Sequence, residues 1–159
     1  MFTFRECRAE DLNDWTDMNL EFMAEEIQDE GLWNNAGKTT PEDFAKIFEE
    51  GQKLPEQIRF VIFEEDGKPV GFANLMLIFS VWSKGMAMIL DDLYIRPLYR
   101  GKGYGREALE YIEKLAEEIG CKRLQFQSEE TNPGAREFYK AVGYQPAEMS
   151  FYVKYMINH

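Results

Sequence analysis

The run Asp91-Asp92-Leu93-Tyr94-Ile95-Arg96-Pro97-Leu98-Tyr99-Arg100-Gly101-Lys102-Gly103-Tyr104-Gly105 holds the chain's densest collection of groups able to do chemistry. Gly101, Gly103 and Gly105 stand at alternate positions, permitting positive φ and letting backbone N–H groups approach a ligand with no Cβ in the way. A helix opening at their end adds N–H donors that lack intrahelical acceptors, together with the positive end of its dipole. Arg96, Arg100, Lys102 and Arg106 make a positive island in a chain of formal net charge −11. Such a set suits a diphosphate. It is not a Walker loop, because no Gly-Lys-Ser/Thr follows a four-residue gap, nor a dinucleotide fingerprint, which needs glycine where Arg106 stands. A solvated basic turn has the same composition, but a strand before it and a helix after it favour anion binding.

Two further sets of side chains suit proton transfer. Asp91 and Asp92 are adjacent on an apolar strand, where strict alternation sends them to opposite faces and away from a shared proton. An ordinary aspartate, with a pKa of about 3.9, is a weak base and needs burial to serve as one. Tyr139 lies beside Phe138 on an apolar stripe, where a core tyrosine is the plainer reading. Its phenol, with a pKa of about 10, stays protonated near neutrality and suits delivery of a proton to a thiolate of pKa about 8.5. Asn132 before Pro133 reads as a helix N-cap.

The elements that position these groups follow from periodicity. Phe2, Phe4 and Arg5 to Arg8 read as a first strand. Asp11 can cap a following helix with Leu12, Trp15, Met18, Leu20, Phe22 and Met23 at roughly helical spacing. Thr40-Pro41-Glu42-Asp43 opens a second helix with a box-like cap, and Phe44, Ile47 and Phe48 form its stripe. Arg59 to Glu64, the turn Glu65-Asp66-Gly67-Lys68, and Val70 to Phe79 form a hairpin, and Met86 to Arg96 completes a three-stranded meander. A helix from about Gly103 to Ile119 buries Ala108, Leu109, Ile112, Leu115 and Ala116 and stops at Gly120. Arg123 to Gln127 is a short strand. Asn132-Pro133 opens a last helix ending at Gly143, with Ala135, Phe138, Tyr139 and Val142 on one side. Gly143-Tyr144-Gln145 and Met149 to Ile157 read as closing strands, giving βααβββαβαββ, an α/β or α+β architecture.

Bulk properties narrow the field. At 159 residues, 45% hydrophobic and 14% aromatic, the chain suits one globular domain spanning residues 1–159. No apolar run approaches the length of about eighteen residues that marks a membrane span. Charges at Arg5, Glu6 and Arg8 interrupt any signal-peptide core, so a cytoplasmic location is expected. Cys7 and Cys121, with His159 the single histidine, supply neither a conventional zinc site nor a cysteine–histidine nucleophile, so no metal is expected. The acidic balance disfavours nucleic acid as a partner.

Arg100-x-x-Gly103-x-Gly105, after a strand ending Leu-Tyr-Ile-Arg-Pro, resembles the coenzyme A diphosphate motif (Q/R-x-x-G-x-G/A) of the GNAT superfamily of acetyl-CoA-dependent N-acetyltransferases. Asn132-Pro-Gly-Ala135-Arg-Glu-Phe138-Tyr139-Lys-Ala-Val-Gly143-Tyr144 is similar to that family's second signature, N-x-x-A-x-x-F-Y-x-x-x-G-F/Y. The resemblance implies a mixed, mostly antiparallel sheet of about seven strands flanked by about four helices. It implies acetyl-CoA as cosubstrate, gripped by backbone from Arg100 through Gly101, Lys102, Gly103, Tyr104 and Gly105, with Arg106 beside them. It further implies that the strand carrying Leu93, Tyr94 and Ile95 splays from the next one, that Leu93 and Ile95 pair with the pantetheine arm, and that one N–H serves as oxyanion donor. Asn132 would bond the pantetheine or diphosphate region and Tyr139 would protonate the leaving thiolate. Asp91 matches the position where polyamine acetyltransferases of the family carry a base, with Asp92 second and water alone as a further route. The first helices would border the acceptor channel, where Glu25, Glu26, Asp29, Glu30 and Trp33 could hold a cationic or polyamine-like amine by charge and cation–π contact, or merely form a solvated face. A small-molecule or peptide amine is the expected acceptor, and a homodimer built through the terminal strands is the expected assembly. The competing reading is a non-catalytic acyl-CoA-binding or sensing module that keeps the glycine cradle.

Overall fold

The computed structural model describes residues 1–26, 39–128 and 133–156. Along them run β1 (Phe2–Glu6), α1 (Leu12–Glu26), α2 (Pro41–Gln52), β2 (Ile58–Glu65), β3 (Lys68–Ser80), β4 (Gly85–Ile95), α3 (Tyr104–Ile119), β5 (Arg123–Phe126) and α4 (Pro133–Ala141). The described strands form one sheet in the order β1-β2-β3-β4-β5. Every neighbouring pair is antiparallel except β4 and β5, which run parallel.

Local chemistry sets the boundaries. Thr40 Oγ1 accepts from the Asp43 amide at 3.2 Å and Asp43 Oδ2 from the Thr40 amide at 2.9 Å, so two N–H groups at the start of α2 are satisfied reciprocally. Asp66 and Gly67, at φ of 50° and 80°, form the tight turn joining β2 to β3. Asp11 is not the cap of α1. It sits in a 3-10 turn over Ala9–Asp11 and is buried, accepting from Arg5 at 2.6 and 2.8 Å and from the Arg8 amide at 2.7 Å. Those bonds hold its carboxyl below the usual carboxylate range, the Arg5 guanidinium being the largest cause.

The sheet has an apolar core on each face. Val61, Phe63, Val70, Ala73, Leu75 and Met88 meet Ala108, Leu109 and Ile112 of α3 on one side. Phe60, Ile62, Phe72 and Tyr94 meet Trp15 and Met18 of α1 and Phe44 and Phe48 of α2 on the other. The fold is therefore three layers, with α1 and α2 on one face and α3 and α4 on the opposite one.

The sheet is shorter than the sequence implies. Five strands, not about seven, occur among the described residues; of the strands expected at residues 143–145 and 149–157, neither the first nor the described part of the second, residues 149–156, is formed. Alternating apolar side chains make a strand only where a neighbouring edge takes up the backbone hydrogen bonds. No backbone pairing leaves the described stretch beyond Tyr144, and Met149, Tyr152 and Met156 are exposed. Phe138, expected inside, is exposed as well, whereas Tyr139 and Val142 pack against the α3-side core. None of the described helices is long and apolar enough to cross a membrane.

Candidate active site

Two departures from regular β structure create the site. The pairing of β4 with β5 runs from Ala87–Arg123 to Leu90–Phe126 and stops there, while β4 continues to Ile95. Beyond Leu90, the backbone from Asp91 to Ile95 has β3 on one side and no β5 partner on the other. At the same point the β3–β4 register slips: Leu75 faces Leu90, Asn74 faces Asp92, and Asp91 is the residue left over. This is a β-bulge. Its effect shows in the core, where Leu90 and Leu93, three apart rather than two, both pack on the α3 side. Strict alternation, which would separate Asp91 from Asp92, is thereby broken.

Asp92 turns to the α1 side, where its Oδ2 accepts from Asn74 Nδ2 at 2.9 Å. Burial pushes its carboxyl up to about 6, a rise the Asn74 bond opposes and the charges of Asp91 and Glu26 reinforce. Asp91 is exposed at the bulge, and partial desolvation raises it too.

Downstream of β4, Pro97–Tyr99 forms one 3-10 turn and the glycine loop opens α3. Gly101 and Gly103 adopt φ of 78° and 84°, which a side chain would disfavour, and nothing lies within 4 Å of where a Cβ at either would sit. The first amide bonded within α3 is that of Glu107, to the Gly103 carbonyl at 3.2 Å. The amides of Tyr104, Gly105 and Arg106 precede it, and no side chain caps them. Beside the loop lies a cleft of about 360 Å³ lined by the Leu93–Ile95 stretch, Tyr99, Arg100, the three loop glycines and Tyr104, with Phe22, Glu25 and Glu26 of α1 forming the far wall. Tyr104 is fixed by stacking on Phe2 at 3.8 Å and by donating its hydroxyl to Glu65, which pushes the phenol up to about 12.

The basic island is spoken for to an extent the sequence does not reveal. Arg100 makes a two-pronged pair with Glu25, at 2.8 and 2.9 Å, and donates Nε to the Ile95 carbonyl at 2.7 Å. Arg96 pairs with Glu21 at 2.9 and 3.1 Å. Both acids lie one helical turn apart on α1, so two arginines of the loop region clamp that helix to the sheet. Lys102 stands over the Tyr99 ring at 5.5 Å, and Arg106 pairs with Glu110 at 3.5 Å; neither lines the cleft. Glu21, Asn19 and Asn74 were missed by sequence reasoning. The i, i+4 spacing of Glu21 and Glu25, matching that of Arg96 and Arg100, was the available signal for the clamp.

Tyr139 reaches the fork from the other side. Its ring lies 4.5 Å from that of Phe126, the last β5 residue paired with β4, and burial raises its phenol above the ordinary value. The Tyr94 side chain packs into the α1-side core and stacks on Phe22. Asn132, Asp29, Glu30 and Trp33 lie outside the described residues. Burial pushes both thiols, Cys7 and Cys121, upward, the opposite of what a thiolate nucleophile needs.

The strand fork thus ends at a glycine-opened helix, with the raised Asp92 carboxyl on the α1 side of the sheet and Tyr139 on the α3 side. The chain matches the profile of the Acetyltransferase (GNAT) family over residues 13–144, and it belongs to that family. It is 34% identical over 76 residues to the thialysine N-epsilon-acetyltransferase of Bos taurus, a match covering 48% of this chain and 44% of the relative. It is 37% identical over 98 residues to the uncharacterized N-acetyltransferase YhfO of Bacillus subtilis, covering 62% of this chain and 64% of the other. The chain thus aligns with only about half the length of these relatives. Among solved structures, a probable acetyltransferase superposes with a TM-score of 0.80 over 99% of both chains at 18% identity. An aminoglycoside N-acetyltransferase in complex with CoA does so with a TM-score of 0.75, covering 99% of this chain and 96% of the other at 15% identity. These structural likenesses establish the fold.

The buried carboxyl has a thermodynamic signature. A carboxyl that titrates near 6 when folded, against 3.8 ordinarily, binds its proton more tightly in the folded chain. Its contribution favours folding below 3.8 and is withdrawn as pH rises through about 6. Asp92→Asn should therefore stabilise the protein at pH 7.5 by about 1–3 kcal/mol in urea unfolding, with the gain vanishing near pH 4. A variant less stable than the parent at pH 7.5 would contradict a costly ionised Asp92.

Proposed function

We propose that this protein is an N-acetyltransferase that moves the acetyl group of acetyl-CoA directly onto a primary amine of a small molecule. The observation that carries the reading is the fork: β4 loses β5 after Leu90, and its open stretch Leu93–Ile95 lines the same cleft as the glycine loop and the start of α3. The amides of Tyr104, Gly105 and Arg106, with Gly101 and Gly103 leaving room, take the diphosphate at the positive end of the α3 dipole. Arg100 contributes charge from within its Glu25 pair, and Lys102 and Arg106 add a more distant positive field. Asn132 joins this set through the resemblance. The open backbone of Leu93 and Ile95 pairs with the pantetheine arm, and one of its N–H groups faces the carbonyl where negative charge develops.

Bound acetyl-CoA supplies the activated thioester. The residues must then move two protons. An alkylammonium acceptor, with a pKa near 10.4, has to lose one before its nitrogen can attack. Asp92 is ionised at neutral pH and, being raised to about 6, is a stronger base than an ordinary aspartate. Asp91, exposed beside it, is the alternative acceptor through water. As the new C–N bond forms and the C–S bond breaks, Tyr139 gives its phenolic proton to the departing sulfur. It is reprotonated by the second proton that the attacking nitrogen sheds as it becomes the amide, while the first passes from the aspartate to solvent. Asp91, Asp92 and Glu26, whose charges act on one another, make the acceptor side negative, which favours a cationic or polyamine-like amine. Asp29, Glu30 and Trp33 belong to this proposal from sequence. Relatives named for thialysine, D-amino acids and aminoglycosides support a small amine rather than a nucleic acid or a metal-bound substrate.

Turnover of acetyl-CoA against a panel of thialysine, D-amino acids, aminoglycosides and polyamines, followed by thiol release, tests the activity. CoA binding without turnover of any amine would favour the acyl-CoA-binding module instead. With the best acceptor, Tyr139→Phe should lower kcat by about 10²–10⁴-fold while calorimetric CoA affinity holds; an unchanged rate removes the acid role. Glu25→Gln, which releases the Arg100 guanidinium, should tighten CoA binding by about twofold to fivefold. Affinity that stays level or weakens would mean Arg100 makes no contact with the diphosphate.

A further inference from the structure

Behind Asp92 lies a polar network in which every direction is fixed. Asn74 faces Asp92 across the β3–β4 pairing and is buried, as are Trp15 and Asn19 of α1. Trp15 Nε1 donates to Asn74 Oδ1 at 3.0 Å. Asn74 Nδ2 donates twice, to Asn19 Oδ1 at 3.1 Å and to Asp92 Oδ2 at 2.9 Å. Asn19 Nδ2 in turn donates to the Trp15 carbonyl at 2.7 Å.

An indole N–H can only donate and a backbone carbonyl can only accept. The first forces the oxygen of Asn74 towards Trp15, and the second forces the oxygen of Asn19 towards Asn74. The Asn74 amide therefore cannot flip without leaving two buried groups unpaired, a loss of the kind that costs about 1–3 kcal/mol per group. With the flip forbidden, its nitrogen must face Asp92.

We infer that Asn74 is a positioning residue for the transfer, holding Asp92 Oδ2 as a hydrogen-bond acceptor so that Oδ1 is the atom that takes the amine proton, with Trp15 and Asn19 fixing which way the amide points. This rests on the reading of Asp92 as the base. In the step itself the N–H bond of the acceptor ammonium breaks, its electron pair stays on nitrogen, and the proton forms a bond to Oδ1. An amide held this way favours the ionised carboxylate, against the burial and the neighbouring charges of Asp91 on β4 and Glu26 on α1. Without it, the network's remaining influences on Asp92 all disfavour ionisation.

The test is the pH dependence of kcat/KM for wild type, Asn74→Ala and Asp92→Asn, with CoA affinity measured alongside. Wild type should lose activity on the acid side as Asp92 protonates. Asn74→Ala should move that midpoint upward by about one pH unit with CoA affinity unchanged, and Asp92→Asn should abolish the acid limb. A midpoint that Asn74→Ala leaves in place, while Asp92→Asn abolishes the limb, overturns the positioning role alone. A limb that survives Asp92→Asn overturns the base assignment and the inference with it. A measurement that needs neither variant nor turnover is the side-chain amide of Asn74 in ¹⁵N NMR of the wild-type protein. It should shift in step with the acid limb between about pH 4 and about pH 8; an amide indifferent to that titration overturns the inference.

Discussion

One extra residue in β4 organises the functional half of this protein. Without a bulge at Asp91, the alternation that puts Met88 and Leu90 against α3 would carry Asp92, not Leu93, into that apolar core. The slip keeps Leu90 and Leu93 on the same side and delivers Asp92 to the opposite face, beside Asn74. It coincides with the last β4–β5 pair, so the backbone that leaves the sheet and the carboxylate that leaves the core do so together. Strand distortions of this kind recur beside active sites because they re-aim side chains and end pairing in one local event.

The cost falls on stability and the surroundings absorb part of it. A carboxylate in a half-buried position loses hydration, and among the described residues the Asn74 bond is what opposes that loss. α1 must stay seated for Trp15 and Asn19 to hold Asn74. It is anchored by Trp15 and Met18 in the core and, at its far end, by Glu21 with Arg96 and Glu25 with Arg100. Those pairs are partly exposed, so each is worth little by itself. Their more important consequence is geometric: the loop proposed to receive the diphosphate and the helix that holds the Asn74–Asp92 network share the same ion pairs.

Much of this was legible in the chain. The caps at Thr40 and Gly120, the Asp66-Gly67 turn and the α3 stripe each have a local cause, and the element order through α4 follows from them. The glycine loop was legible because it combines a strand exit, alternate glycines and a helix start. Three features were not. A bulge is a relation between two strands, so Asp91-Asp92 read alone looked like ordinary alternation. The arginines looked available because their partners lie on a helix some seventy-five positions away. The closing strands looked secure because Met149-Ser-Phe-Tyr-Val has the composition of a strand, yet pairing depends on an edge to join, and the described backbone there joins none.

Everything functional rests on the fork and the α3 amides being the place where the thiol carrier's phosphates and arm are held. Backbone amide NMR of ¹⁵N-labelled protein during titration with coenzyme A tests that directly. Saturable shifts concentrated at Gly101, Gly103, Tyr104, Gly105 and Arg106, with Leu93 and Ile95 following as the arm enters, are the predicted result. Binding that leaves those amides still, or that perturbs the β1–β2 side of the sheet instead, would contradict it.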